Sequence, residues 1–193
     1  MTTSTLDPGR LEQALSPLLD HITPDRPYRL VGTAAALAQG VQLPTSDIDV
    51  LVSRRDDVDA FAAVLSPFPC RTPPTWLPEA RQYFGAFTVA GIDLEVSTVE
   101  WPADTDTFEC AGPGPWRHYT EVYLGRHTVP AVALELRLAT ELLRDRPDRW
   151  RPLIDHMRRH GGDRSLALRA MQDRKVAPLT QQKALDHWHS TPG

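Results

Sequence analysis

Cysteine, excess positive charge and long apolar runs are all scarce in this sequence. Only two cysteines, Cys70 and Cys110, occur among 193 residues, and no CxxC pair is present. This excludes a cysteine-based zinc site and gives no sign of a disulfide framework. The net charge of -4 argues against a broad nucleic-acid-coating surface, because such domains are usually basic. No apolar run approaches the ~18 residues of a membrane span, so we expect no membrane partner.

The sequence also lacks the motifs of two large enzyme classes, and it does not begin like a signal peptide. No GxSxG motif occurs, which removes support for a serine hydrolase. His156 and His160 lie one helical turn apart, but Met157 stands where a zinc protease has glutamate. The first residues, MTTSTLDPGR, show no basic start followed by an apolar run. We therefore expect a cytoplasmic protein.

Hydrophobic periodicity divides the chain into a mixed front part and a helical back part. Strands are predicted where β-branched and aromatic residues cluster, at 28–31, 46–53, two within 83–101 joined across Ala90-Gly91, and one within 120–132. Helices are predicted where apolar residues recur at helical spacing, at 10–20, 34–40, 55–66, 130–145, 151–160, 163–174 and 180–189. Proline-rich residues 67–82 are predicted to be a loop, and residues 101–120 irregular chain.

These elements predict an α+β fold, with a short mixed β-sheet flanked by helices. The core is predicted over 1–128, and a helical C-terminal segment over 129–193. We expect the helical segment to close one side of a cleft in the core.

Two carboxylates stand at the start of the apolar strand SDIDVLV. Alternate strand residues point to the same side, so Asp47 and Asp49 project together while Ile48 and Val50 face the core. Two parallel carboxylates repel each other unless a cation lies between them, and Mg²⁺ prefers a few carboxylates plus phosphate oxygens. The alternative is a pair of solvent-facing aspartates at the beginning of a strand.

A glycine and a hydroxyl residue join the first predicted strand to an alanine-rich helix. Gly32 lets the backbone come close to a phosphate, and the Thr33 hydroxyl can meet the anion. The alternative is an ordinary strand-to-helix turn in which Thr33 caps the helix.

A second pair of acids lies on the later strand GIDLEV. Asp93 and Glu95 are two residues apart and therefore share a strand face. Either could supply a third carboxylate that ligates a metal ion or takes the proton from an attacking hydroxyl. The alternative is an exposed strand face, which is common.

In this order the motifs resemble the nucleotidyltransferase superfamily, the fold of DNA polymerase β and of small aminoglycoside- and lincosamide-modifying enzymes. That pattern has an apolar residue, Gly, Gly or Ser, a spacer, and then acid–apolar–acid, with a third acid on a later strand. This chain reads Leu30-Val31-Gly32-Thr33, a spacer over 34–46, and Asp47-Ile48-Asp49. The resemblance covers about 28–98, with a weaker echo over 130–146. Thr33 departs from the usual serine by an added methyl group.

The resemblance implies a minimal nucleotidyltransferase fold and a role for each matching residue. Gly32 and Thr33 would bind nucleotide phosphates, and Asp47 and Asp49 would hold two Mg²⁺ ions. Asp93 would complete the metal-binding triad, with Glu95 as the second choice.

The helix predicted at 130–145 offers basic side chains for the phosphates. Arg137, Glu141 and Arg144 lie at i, i+4 and i+7, along one helix face. Related enzymes use a basic residue on a helix after the sheet against the triphosphate, which implies nucleotide binding by Arg137 and Arg144. The alternative is a solvated face with an Arg137–Glu141 pair.

The activity so implied is Mg²⁺-dependent transfer of a nucleoside monophosphate, AMP from ATP before other triphosphates, to a hydroxyl of a small molecule. The acidic charge balance favours a cationic acceptor over nucleic acid. Two alternatives stay open: a toxin-like or regulatory enzyme that modifies tRNA or a protein, and a binding module without catalysis. A homodimer is compatible with the apolar C-terminal helices.

Overall fold

Seven helices and seven strands make up the part of the chain that the computed structural model describes, residues 6–23 and 26–190. The helices are α1 (Pro8–Leu19), α2 (Gly32–Ala38), α3 (Arg55–Val64), α4 (Leu134–Leu143), α5 (Pro147–His160), α6 (Arg164–Asp173) and α7 (Pro178–His189). The strands are β1 (Tyr28–Val31), β2 (Asp47–Val52), β3 (Cys70–Leu77), β4 (Gln82–Val89), β5 (Ile92–Ser97), β6 (Tyr119–Leu124) and β7 (His127–Val132).

The strands form one mixed sheet in the order β3-β4-β5-β2-β1-β7-β6. The pairs β2–β5 and β1–β7 are parallel, and the remaining neighbours are antiparallel. The prediction of an α+β fold with a mixed sheet and a helical C-terminal segment is confirmed.

The centre of the sheet is apolar on the face covered by the first helices. Ile48, Val50, Leu94 and Val96 of β2 and β5 are all buried. Their alternation with Asp47, Asp49, Asp93 and Glu95 places all four acids on the opposite face. The hydrophobic pattern that buries one face of these two strands therefore also fixes where the acids lie.

The prediction of a loop over 67–82 is wrong, because residues 70–77 form the edge strand β3. Proline cannot donate a ladder hydrogen bond, so it is tolerated at a sheet edge and at irregular positions. Pro73 and Pro74 lie where the pairing of β3 with β4 shifts register between Thr72 and Thr75. The edge location and the irregularity together accommodate the prolines.

The region around 120–160 also differs from prediction. Residues 120–132 form two strands, β6 and β7, joined at Gly125-Arg126, instead of one. Helix α4 consequently begins at Leu134 and not at 130. Helix α5 begins at Pro147, which occupies its first turn, while Pro152 lies inside the helix.

The division of the chain at 128/129 stays a prediction, and β7 runs across that position. In the described ranges 6–23 and 26–190, every helix is too short or too polar to cross a lipid bilayer.

Candidate active site

The four predicted acids lie side by side on two neighbouring strands. In the parallel pairing of β2 with β5, Asp47 is opposite Asp93 and Asp49 is opposite Glu95. Residues in register on adjacent strands point to the same face of a sheet. The two strands thus bring all four carboxylates to the same face of the sheet, and Asp47, Asp49 and Glu95 also line one cavity.

Asp49 is a half-buried carboxylate of this site, and its pKa is shifted strongly upward. Burial raises its pKa to about 7, with further contributions from the neighbouring charges of Asp47, Glu95 and Glu109. The positive charge of Arg137 lowers the pKa but does not offset these effects. Burial and the neighbouring negative charges thus favour the protonated form of this carboxyl group.

Gly32 is required because Asp49 lies directly against it. The backbone of Gly32 has φ +70°, and a Cβ atom there would collide with an Asp49 carboxylate oxygen. Any side chain would meet both a strained backbone and a collision. The glycine of the motif is therefore what allows the strand-to-helix turn to approach the acid pair.

Asp93 and Glu95 point to the same face of the sheet but have different surroundings. Asp93 forms an ion pair with Arg71 on the edge strand β3 and accepts a weak hydrogen bond from Thr88 at 3.4 Å. Glu95 lines the same cavity as Asp47 and Asp49. Burial and the charge of Asp47 raise the pKa of Glu95. Glu95 is thus electrostatically coupled to the acid pair.

Thr33 faces the arginines of the C-terminal helices. Its hydroxyl accepts a hydrogen bond from Arg149 of α5 at 2.9 Å and a longer one from Arg137 of α4 at 3.5 Å. Arg137 is 5% exposed and pairs with two carboxylates, Glu141 and Glu109. Arg144 is less buried: its side chain is 55% exposed and lies 4.0 Å from Glu141.

A cavity of about 730 Å³ joins these groups. One wall carries Asp47, Asp49 and Glu95 from the sheet, together with apolar and polar side chains of β3 to β5 (Leu77, Gln82, Phe84 and Ser97). The other wall is cationic and belongs to the C-terminal helices and the turns after them, with Arg137, Arg144, Arg146, Arg149 and Arg174. The cavity can therefore hold a cation on one side and an extended anion on the other.

The donor set fits Mg²⁺ that is shared with a phosphorylated substrate. In the described part of the chain, no three His, Cys, Asp or Glu side chains converge closely enough to hold an ion alone. Mg²⁺ is usually held by one or two carboxylates, with water and substrate phosphates as its other ligands. Asp47 and Asp49 provide two such carboxylates.

Several cavity residues were not found by sequence reasoning. Glu109 lies in the irregular segment between β5 and β6, Arg149 lies in α5, and Arg174 directly follows α6. None of them belongs to a short motif. Only the abundance of arginine over 144–151 could have pointed to the cationic wall.

Solved structures share this architecture, and two of them are described here, although no family model matches the sequence and no curated protein matches it significantly. A candidate nucleotidyltransferase from Thermotoga maritima superposes with a TM-score of 0.58 at 16% identity, covering 83% of this chain and 100% of that one. The antibiotic-resistance factor ANT(2'')-Ia superposes with a TM-score of 0.51 at 14% identity, covering 94% of this chain and 96% of that one. The chain has the nucleotidyltransferase fold.

Proposed function

We propose that this protein is a nucleotidyltransferase, which moves a nucleoside monophosphate from a triphosphate to a hydroxyl group. One observation carries the proposal: Asp47, Asp49 and Glu95 line the same cavity as Thr33 and five arginines. Carboxylates facing arginines across one cavity suit a substrate that brings both metal ions and phosphates. ATP is the proposed donor, with other triphosphates as alternatives.

The residues of the sheet side would hold the reacting centre. Asp47 and Asp49 would bind two Mg²⁺ ions through their carboxylate oxygens. Magnesium, when bound, neutralises phosphate charge and polarises the phosphoryl group that is transferred. Glu95 would accept the proton of the acceptor hydroxyl, since its raised pKa makes it a better base than an ordinary carboxylate.

The residues of the helical side would hold the leaving group. The acceptor oxygen forms a bond to the α-phosphorus while the bond from that phosphorus to the bridging oxygen of the β-phosphate breaks. Negative charge then grows on pyrophosphate, and guanidinium groups suit such an anion because they present several donors in one plane. Arg144, Arg146, Arg149 and Arg174 are placed to stabilise it.

The proposed acceptor is a small molecule with a hydroxyl group. The acid side of the cavity includes Leu77 and Phe84, which offer apolar contact, and Gln82 and Ser97, which offer hydrogen bonds, next to Glu95. A larger acceptor such as RNA or a protein is the second candidate. Arg144 and Arg146 favour it, because their side chains remain 55% and 38% exposed at the mouth of the cavity.

The proposed function is tested by incubating the protein with Mg²⁺, each labelled triphosphate in turn, and a panel of aminoglycosides, other polyols, tRNA and proteins. We expect pyrophosphate release that depends on one acceptor class and is lost in Asp47→Asn. Release from no combination of donor and acceptor would count against catalysis and favour a binding module.

We expect the two acids of β5 to differ sharply. Glu95→Ala should lower transfer at least about 100-fold, the usual cost of losing a general base. Asp93→Ala removes a half-exposed pair with Arg71 and should change transfer only a few-fold and stability by less than about 1 kcal/mol. Initial rates of pyrophosphate release compare the variants. A large loss in Asp93→Ala with a small one in Glu95→Ala would exchange their roles.

A further inference from the structure

Glu109 is a fully buried carboxylate that the proposed reaction does not use. It is 1% exposed and lies in the irregular segment between β5 and β6. One of its oxygens accepts the Gly32 N–H at 2.8 Å, and both lie 3.2 Å from the Arg137 guanidinium. A backbone N–H at a glycine turn and an arginine are also the donors that bind phosphate oxygens. Glu109 therefore occupies an anion-binding position inside the proposed site.

The charges around Arg137 show that this position is already filled. Arg137 pairs with Glu109 and with Glu141, so two carboxylates surround one guanidinium. Glu141 also lies near Arg144 and Arg146, whereas the ion-pair contact of Glu109 is with Arg137, so a phosphate approaching Arg137 would meet the carboxylate of Glu109. Glu141 belongs to helix α4, whereas Glu109 belongs to irregular chain. Of the two carboxylates, Glu109 is thus the one that can leave without unwinding a helix.

The segment that carries Glu109 is attached to the rest of the protein by polar contacts. Buried Arg29 of β1 donates hydrogen bonds to the backbone oxygens of Glu109 and His118. At the other end, the hydroxyls of Thr105 and Thr107 donate to Asp173 of α6, each at 2.6 Å. Hydrogen bonds of this kind can be exchanged for water when the segment moves. These hydrogen bonds hold the segment in place, but they can break and allow Glu109 to move.

We propose that Glu109 is an internal competitor of the triphosphate, which must displace its carboxylate from Gly32 and Arg137 in order to bind fully. This inference rests on the proposed function, because it assumes that a triphosphate enters this cavity. Only molecules in which Glu109 has left this position can then bind the triphosphate fully. The apparent affinity is therefore lowered in proportion to the fraction of such molecules. Arg137 then becomes available to the substrate only in the displaced state.

The test compares the affinity for ATP with Mg²⁺, measured by calorimetry, in the full chain and in Glu109→Gln. Glutamine keeps an oxygen for the Gly32 N–H but removes the negative charge, so we expect binding at least about 10-fold tighter than in the wild type. Glu121→Gln, on the exposed strand β6, removes the same charge far from the cavity wall and should leave the affinity unchanged.

A second variant acts on the attachment instead of the carboxylate. Thr107→Val keeps the side-chain shape but removes one hydrogen bond to Asp173, so we expect a smaller tightening, roughly 2- to 5-fold. Hydrogen exchange should also show that ATP increases the exposure of residues 105–112 in the wild type. Weaker or unchanged ATP binding in Glu109→Gln would overturn the inference while leaving the proposed function intact. Absence of ATP binding in both the wild type and Glu109→Gln would overturn both.

Discussion

Asp49→Asn should abolish nucleotidyl transfer and at the same time stabilise the fold at alkaline pH. Transfer is expected to fall at least about 100-fold, because the variant loses a ligand for the cation that neutralises the phosphates. Stability is expected to rise because asparagine cannot carry the charge that burial, Asp47 and Glu95 disfavour. A variant that loses activity but gains stability is expected where a functional carboxylate is buried near other negative charges.

The sign of the pH dependence follows from the pKa of Asp49. Its folded-state pKa, about 7, lies above the value of 3.8 for an unperturbed aspartate, so between these values the folded protein binds more protons than the unfolded chain. This group's contribution to stability is complete below pH 4 and is lost as the pH rises towards 7. The difference corresponds to at most roughly 4 kcal/mol, from 1.36 kcal/mol per pKa unit, and we expect about 2 kcal/mol.

Urea unfolding of the wild type and Asp49→Asn at pH 4 and pH 8 measures this effect. The gain in free energy of unfolding should be clear at pH 8 and nearly absent at pH 4. Asp47→Asn is the matched control: it should give the same loss of transfer but a smaller gain in stability at pH 8, because it relieves the repulsion from Asp47 and leaves the Asp49 charge buried. An equal gain at both pH values would show that charge is not its cause.

Arg137→Met should have the largest effect on stability of the arginine variants of this cavity. Methionine fills a similar volume but leaves Glu109 and Glu141 buried without their shared cation. Removing one partner of a buried ion pair typically costs 3–5 kcal/mol, so we expect a loss of about 3 kcal/mol or more. Arg137 lowers the pKa of Glu109, so without Arg137 that carboxyl group is protonated more readily and the loss should shrink at low pH.

Arg144→Met provides the control for this prediction. Arg144 lies on the same stretch of chain but is 55% exposed and 4.0 Å from Glu141, so its loss should cost less than about 1 kcal/mol. Urea midpoints and slopes at pH 7 compare the two variants. Similar small losses in both would show that Arg137 belongs to a solvated helix face after all.

The acid pairs were predictable because strand geometry alone places them. Alternation fixes the face of Asp47 and Asp49 on β2, and the same rule applies to Asp93 and Glu95 on β5. What the sequence could not give is the parallel register of these strands, which sets Glu95 beside Asp49. Nor could it show Arg71, which draws Asp93 into a separate ion pair from the adjacent edge.

The features that could not be predicted from the sequence are those that depend on tertiary contacts. Strand β3 could not be predicted because it contains prolines, which a strand tolerates only at a sheet edge or at an irregular position. Glu109 lies in a segment without periodicity, and its role comes from contacts with Gly32 and Arg137 that are 77 and 28 residues away. An i, i+4 pattern identified the Arg137–Glu141 pair but could not show that both side chains are buried.

The most direct measurement of the central claim is calorimetric titration of ATP and the other triphosphates, with and without Mg²⁺, into the wild type and into Asp47→Asn/Asp49→Asn. The carboxylate wall and the arginine wall should together bind a triphosphate only when Mg²⁺ is present, and the double variant should lose that dependence. Failure of every triphosphate to bind the wild type, or equally strong Mg²⁺-dependent binding by the double variant, would contradict this account of the site.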